Sequence, residues 1–198
     1  PTKTVPVDLS QPYEVSYEKD CHATPVYNDG AVDVTYSTSD TWYWAGFEVP
    51  VDNLEGVISV SFEYKGDGQN ANLVAYISDG DVNWYADGSD GTLKNTTWTT
   101  NKILPEGPLW YEGQAPKYGE KPITAIGFRA NPQAKVSSGA FSIQNVNVLM
   151  MNGTAAEVGG VRVIRNVTQP TSLTDGELVY NGEGSQCKDI APQSGTYY

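Results

Sequence analysis

The sequence predicts an all-β fold, an antiparallel double sheet followed by a small second β block, and three observations carry that reading. Apolar and polar residues alternate strictly at Val32, Val34 and Tyr36 against Asp33, Thr35 and Ser37, and again at Ile58, Val60, Phe62 and Tyr64 against Ser59, Ser61 and Glu63. A period of two places every second side chain on one face, so each segment is a strand with one face buried. Thirteen Tyr and five Trp stand beside only two Met, with 20 Gly and 12 Pro to turn the chain, and that mixture suits a sandwich or barrel. No stretch of useful length carries a helical period.

In chain order, strands are expected over residues 13–18, 32–37, 42–49, 57–64, 73–77, 98–104, 123–128 and 141–150. About eight strands fit two packed antiparallel sheets. Between them lie Gly66-Asp67-Gly68, Asp79-Gly80, Asp87-Gly88, Asp90-Gly91 and Asn131-Pro132, dipeptides that reverse a chain through left-handed tolerance or a fixed φ. In the last strand the apolar phase runs through 141 and 143 and then moves to 146, 148 and 150. This slip predicts a β-bulge at Gln144-Asn145. Residues 1–151 therefore form the first domain. Residues 152–159, small, polar and Gly-bearing, read as a linker. Residues 160–198 show about three short strands, too few for an independent sandwich.

With 24 Asp and Glu against 12 Lys and Arg the formal charge is −12, which repels phosphate backbones and anionic lipid, so neither nucleic acid nor membrane insertion is expected. No run approaches the ~20 apolar residues of a membrane span. The chain opens Pro1-Thr2-Lys3-Thr4 and reads as a mature or excised piece of an exported protein, secreted or held at the cell surface. Cys21 and Cys187 are the only cysteines. One disulfide, two free thiols and an intermolecular link are all open.

The alternating strand of residues 57–68 that ends in a glycine turn, and the closing run Gly139-Ala140-Phe141-Ser142-Ile143-Gln144-Asn145-Val146-Asn147-Val148, resemble the jelly-roll carbohydrate-binding modules of the galactose-binding-like group. The resemblance covers residues 13–150 and implies a non-catalytic, extracellular, glycan-binding sandwich. In that family an Asp of the closing strand helps hold a structural calcium, whereas Gln144 stands there in this chain. Residues 160–198 are similar to the middle of fibronectin type III-like repeats. That likeness rests on Gly160-Val161-Arg162-Val163-Ile164-Arg165, Pro170-Thr171-Ser172, Asp175-Gly176, Val179-Tyr180-Asn181-Gly182 and Gly195-Thr196-Tyr197-Tyr198. The opening strands of such a repeat and its last strand are absent.

Sugars present apolar C–H faces ringed by hydroxyls, so a sugar site pairs flat aromatics with carboxylates and amides. Trp42-Tyr43-Trp44, read as strand, puts Trp42 and Trp44 on one face, with Asp40 and Glu48 nearby. The pair is either a stacking platform or part of the core. Trp84, Tyr85, Trp110 and Tyr111 lie in Gly- and Pro-rich segments and read as loop aromatics that contact ligand. Asp79, Asp81, Asn83, Asp87 and Asp90 occupy the first, third, fifth, ninth and twelfth places of a calcium-loop register. A plain hairpin turn is the other reading, since Trp84 stands where such a loop wants Gly.

The single histidine, His22, adjoins Cys21, but neighbouring strand residues point to opposite faces and cannot meet as base and nucleophile. No catalytic residue is assigned, and the chain is read as a binding protein rather than an enzyme. The first functional expectation is a polysaccharide- or glycan-binding module of a larger secreted protein. The second is a structural subunit of an extracellular filament or surface layer. Copies of the chain would then join through the open edges of the incomplete block, with acidic loops bridged by calcium.

Overall fold

The computed structural model describes residues 2–86, 92–103 and 121–152, together with the backbone of residues 156–158 and 161–163. The chain divides into two units, residues 1–152 and 153–198. In the first, eleven strands build two antiparallel sheets: β1 (Thr2–Pro6), β2 (Tyr13–Ser16), β3 (His22–Asn28), β4 (Ala31–Thr38), β5 (Ala45–Leu54), β6 (Val57–Gly66), β7 (Ala71–Ser78), β8 (Asn83–Tyr85), β9 (Thr99–Ile103), β10 (Ile123–Pro132) and β11 (Ser137–Met151). One sheet runs β3-β4-β11-β6-β9 with β1 also paired to β11, and the other runs β2-β5-β10-β7-β8. No helix among the described residues is long and apolar enough to cross a membrane.

The alternation seen in the sequence becomes the core. Phe47 and Phe128 from the five-stranded sheet meet Phe62 and Phe141 from the six-stranded one, with ring centroids 5.0–6.3 Å apart. All four are buried. Burying each stabilises the fold by about 1.5–3 kcal/mol, and each ring pair adds about 0.5–1.5 kcal/mol.

The expected bulge is present. Strand β11 pairs with β6 through Gln144 and resumes only at Asn147, and Asn145 takes a left-handed φ of 51°. The interruption lets one strand edge serve two neighbours. Residues Ser137 to Gln144 pair with β4, while Asn147 to Met151 pair with β1.

Three strands of the first unit were not expected. β1 is a short polar run. β3 carries Pro25 at its centre, which is tolerable because β3 is an edge strand and needs no outward donor there. β8 falls in the segment read as a loop. One expected strand is shorter at its start: β5 begins at Ala45, and Trp42 sits in a turn with φ 68°. Within that turn Asp40 accepts the Thr41 N–H at 2.8 Å, and the Tyr43 N–H reaches the Asp40 carbonyl at 3.4 Å. A left-handed residue breaks the regular alternation of a pleated strand, so the alternation argument for Trp42 and Trp44 fails at its first residue.

Of the second unit, only a hairpin of β12 (Ala156–Val158) against β13 (Val161–Val163) is described. The segment read as a linker thus contains a strand. The rest of the block read as fibronectin-like lies outside the described residues.

Candidate functional site

The five-stranded sheet has an outer face whose residues can be read off the register. Tyr13 on β2 stands opposite Glu48 on β5, which stands opposite Gly127 on β10, then Tyr76 on β7, then Tyr85 on β8. One row therefore crosses all five strands. The residues next to it along the strands, Phe47, Phe128 and Ile77, point inward and are buried, which fixes this row on the other side of the sheet.

A column of stacked groups stands on the middle of the row. A side chain at Gly127 would put its Cβ 2.1–2.5 Å from ring atoms of Tyr76, so the Tyr76 ring lies directly on the glycine backbone. Above it the Arg129 guanidinium sits 4.3 Å from the Tyr76 centroid and 3.6 Å from the Trp44 centroid. Each such contact stabilises by about 0.5–2 kcal/mol. Arg129 Nη1 also donates to the Tyr85 hydroxyl at 3.0 Å, which accepts a second bond from Asn83 Nδ2 at 3.1 Å. Tyr76 is fully buried under this column. Its hydroxyl completes no hydrogen bond, although Glu48 and Arg129 flank it closely enough to act on its ionisation. Burial drives its pKa well above that of a free phenol, and Arg129 only partly offsets this.

Beside the column lies a groove of about 630 Å³ that touches every strand of the sheet. Tyr13 and Glu48 line it at one side and Asn83 and Tyr85 at the other, with Thr124 and Ala125 between them, and the Ser78 to Val82 turn forms its rim. Its volume is within the range of small-ligand sites, about 300–1,000 Å³. Tyr13 donates to Glu48 Oε2 at 3.3 Å, and burial first, then the Glu48 charge, raise the Tyr13 pKa. The Tyr13 phenol is thus neutral at ordinary pH. A second depression, of about 570 Å³, lies on the six-stranded sheet among Thr24, Asp33, Thr35 and Ser142, with Tyr27 its one exposed aromatic.

The residues singled out from sequence have separate fates. Trp42 is 70 % exposed, at the tip of its turn. Trp44 does not share a strand face with it: one side of its ring is covered by Arg129, and the Tyr17 ring approaches at 6.3 Å in an edge arrangement. Tyr17 in turn lies 4.3 Å from Tyr43. Asp40 caps its own turn rather than facing the groove. Trp84 is not a loop aromatic. It occupies the inward phase of β8 opposite Ile77, is 4 % exposed and belongs to the core, so no face of it is open to a ligand. Tyr85, next in the strand, points outward and lines the groove. Trp110 and Tyr111 lie outside the described residues.

Of the calcium register, Asp79, Asp81 and Asn83 are described, and Asp87 and Asp90 are not. Asp79 Oδ1 accepts the N–H groups of Asp81 and Val82 at 2.8 and 2.7 Å, Asp81 pairs with Lys121, and Asn83 binds Tyr85. Of the three, Asp79 caps the turn between β7 and β8. Among the described residues no group of three or more His, Cys, Asp or Glu side chains is arranged to hold a metal. Cys21 is buried, with its thiol 3.8 Å from the Ser39 hydroxyl, while His22 is exposed. Cys187 lies outside the described residues.

Sequence reasoning missed Tyr13, Tyr76 and Arg129. A signal for two of them was present: in otherwise apolar strands, Tyr76 and Arg129 are the large polar-tipped residues at outward phase, and a charge within a near-continuous apolar run marks a special position.

Solved structures to which the chain is similar include carbohydrate-binding modules. One is the family 11 module of a cellulosomal cellulase of Clostridium thermocellum, at 14 % identity and TM-score 0.46, covering 76 % of this chain and 88 % of that one. Another comes from work on the promiscuous specificity of carbohydrate-binding modules of the β-sandwich superfamily, at 11 % and 0.49, covering 70 % and 57 %. A third is a point mutant of a family 29 module complexed with cellulohexaose, at 12 % and 0.46, covering 75 % and 91 %. No family model matches the chain, and no curated protein matches it significantly. At these values the likeness is one of fold and bears no weight for ligand or role.

Proposed function

We propose that the outer face of the five-stranded sheet is a glycan-binding groove and that the protein is a non-catalytic carbohydrate-binding module acting outside the cell. The observation that carries this reading is the row Tyr13–Glu48–Gly127–Tyr76–Tyr85 with its groove alongside. The exposed phenol ring of Tyr13 and the half-buried one of Tyr85, at the two ends of the row, offer apolar faces to sugar C–H groups, while Glu48 accepts from sugar hydroxyls and Thr124 can both donate and accept. Four strand-to-strand steps of about 4.8 Å make the row about 19 Å long, which suits an extended oligosaccharide better than a single sugar. The stacked column supports Tyr85 from below through Arg129, so the groove is preformed and a ligand need not order it.

Screening on a glycan array followed by titration calorimetry tests the reading. Tyr85→Ala and Tyr13→Ala are each expected to weaken binding by about 1–3 kcal/mol, the scale of losing an aromatic anchor. Binding to no glycan, or binding that survives both substitutions unchanged, refutes the site.

A further inference from the structure

We propose that this groove selects uncharged glycans and rejects those carrying carboxylates or sulfates, an inference that rests on the glycan-binding reading above and adds the chemical class of ligand. Among the described residues that line the groove there is no cation, and there are two carboxylates, Glu48 and Asp81.

Two cations among the described residues stand next to groove-lining side chains, and both are engaged. Arg129 is held between the rings of Trp44 and Tyr76, lies 5.2 Å from the Tyr85 centroid, and spends one donor on the Tyr85 hydroxyl. In that position both faces of its guanidinium are covered by rings and its Nε is a buried atom, so it is not presented as the open bidentate fork with which Arg grips a carboxylate or sulfate. Lys121 is paired with Asp81 at the groove rim.

A uronate entering beside Tyr13 would bring its charge against Glu48, whose Oε2 already receives the Tyr13 hydroxyl. Like charges brought together at a half-buried site raise the free energy of the complex, and no basic group among the described lining residues compensates. A neutral sugar meets the same carboxylate as a hydrogen-bond acceptor for its hydroxyls, so the feature that repels a uronate attracts a neutral chain. The overall charge of −12 adds a long-range repulsion that slows the approach of polyanions.

The test is calorimetric titration of the full chain, at about 0.15 M salt, with neutral hexaoses (gluco-, xylo-, manno- and galacto-configured) and with hexuronates and a sulfated hexasaccharide. At least one neutral hexaose is expected to bind, and every anionic probe is expected to be weaker by tenfold or more. Glu48→Gln is expected to narrow that gap by admitting the uronates. Should the substitution unfold the protein, raising the salt to about 1 M on the wild-type chain does the same by screening. Tighter binding of an anionic probe than of any neutral one overturns the charge selection and leaves the glycan reading standing. Silence from every probe overturns both. A gap that neither Glu48→Gln nor salt narrows overturns the assignment to the groove carboxylates.

Discussion

Placing a methyl group on Gly127 should disturb the column at its base. The added Cβ would lie 2.1 Å from Tyr76 Cζ, 2.4 Å from its hydroxyl and 2.5 Å from Cε1, where ordinary contact begins near 3.4 Å. Tyr76 is fully buried, and the Arg129 guanidinium 4.3 Å from its ring centre is itself pressed against Trp44, so the ring has no free direction in which to rise. Overpacking of this kind costs about 1–3 kcal/mol, and lifting the ring also weakens cation–π contacts of about 0.5–2 kcal/mol each. For a unit of this size, each kcal/mol lowers the melting temperature by about 2–4 °C. The expected fall for Gly127→Ala is therefore about 2–12 °C in a calorimetric or circular-dichroism melt. Tyr76→Ala removes the obstacle, so adding Gly127→Ala in that background should cost at least about 1 kcal/mol less than in the wild type. A wild-type melting temperature for Gly127→Ala, or strict additivity in the double variant, refutes the stacking of Tyr76 on the glycine.

Trp84→Ala empties a core position and should destabilise the fold by about 3–5 kcal/mol in urea denaturation. Trp42→Ala should change stability by less than about 0.5 kcal/mol, and Trp42→Gly should be at least as stable as Trp42→Ala because glycine accepts φ 68° without strain. Arg129→Lys keeps the charge but loses the planar fork that stacks between Trp44 and Tyr76. Glycan titration should show weaker binding even where the melt shows a folded protein. Burial, then the Asp67 charge, push the Tyr36 pKa up to about 12, above the ~10 of an unfolded tyrosine. The folded state then holds its proton longer, so this contribution is fully present below about pH 10 and is lost as pH rises toward about 12. Tyr36→Phe should flatten the alkaline decline of the urea midpoint. Because the Tyr36 hydroxyl is buried with no hydrogen-bond partner, the variant should be no less stable at neutral pH.

Strand type, the turns at Gly66-Asp67-Gly68 and Asp79-Gly80 and the bulge in β11 were legible because each rests on local sequence, whereas Asn131-Pro132, expected to reverse the chain, still pairs with β7 as the end of β10. Val32, Val34 and Tyr36 point inward for the reason their spacing gives, and the phase slip at Gln144-Asn145 is visible without any partner strand. The site was legible only in part. Glu48 and Tyr85 were noticed, but the row that joins them depends on strand order, and β5, β10 and β7 lie side by side although far apart in sequence. Trp84 and Tyr85 show the limit of reading from composition. Both follow a turn rich in Asp and Gly, yet the short strand they enter sends the indole to the core and the phenol to the groove. Trp42 misled for the opposite reason, since its left-handed backbone breaks an alternation that the letters alone suggest.

The bulged strand also decides how the first unit begins and ends. Because β11 offers its far half to β1, Thr2 lies opposite Met151, and the two ends of a fold about 150 residues long run antiparallel, one strand spacing apart. This pairing is the most distant in sequence in the whole sandwich, and loop-closure entropy opposes forming it early. β1 should therefore be the last strand to zip during folding and the first to fray. Adjacent ends of this kind allow a circular permutation, in which a short bridge joins Met151 to Thr2 and the chain is reopened at an exposed turn such as Asp29-Gly30. Since β1 and β11 belong to the six-stranded sheet and the proposed glycan groove is on the other, a permutant bridged at Met151 and Thr2 carries its new junction on the sheet opposite that groove.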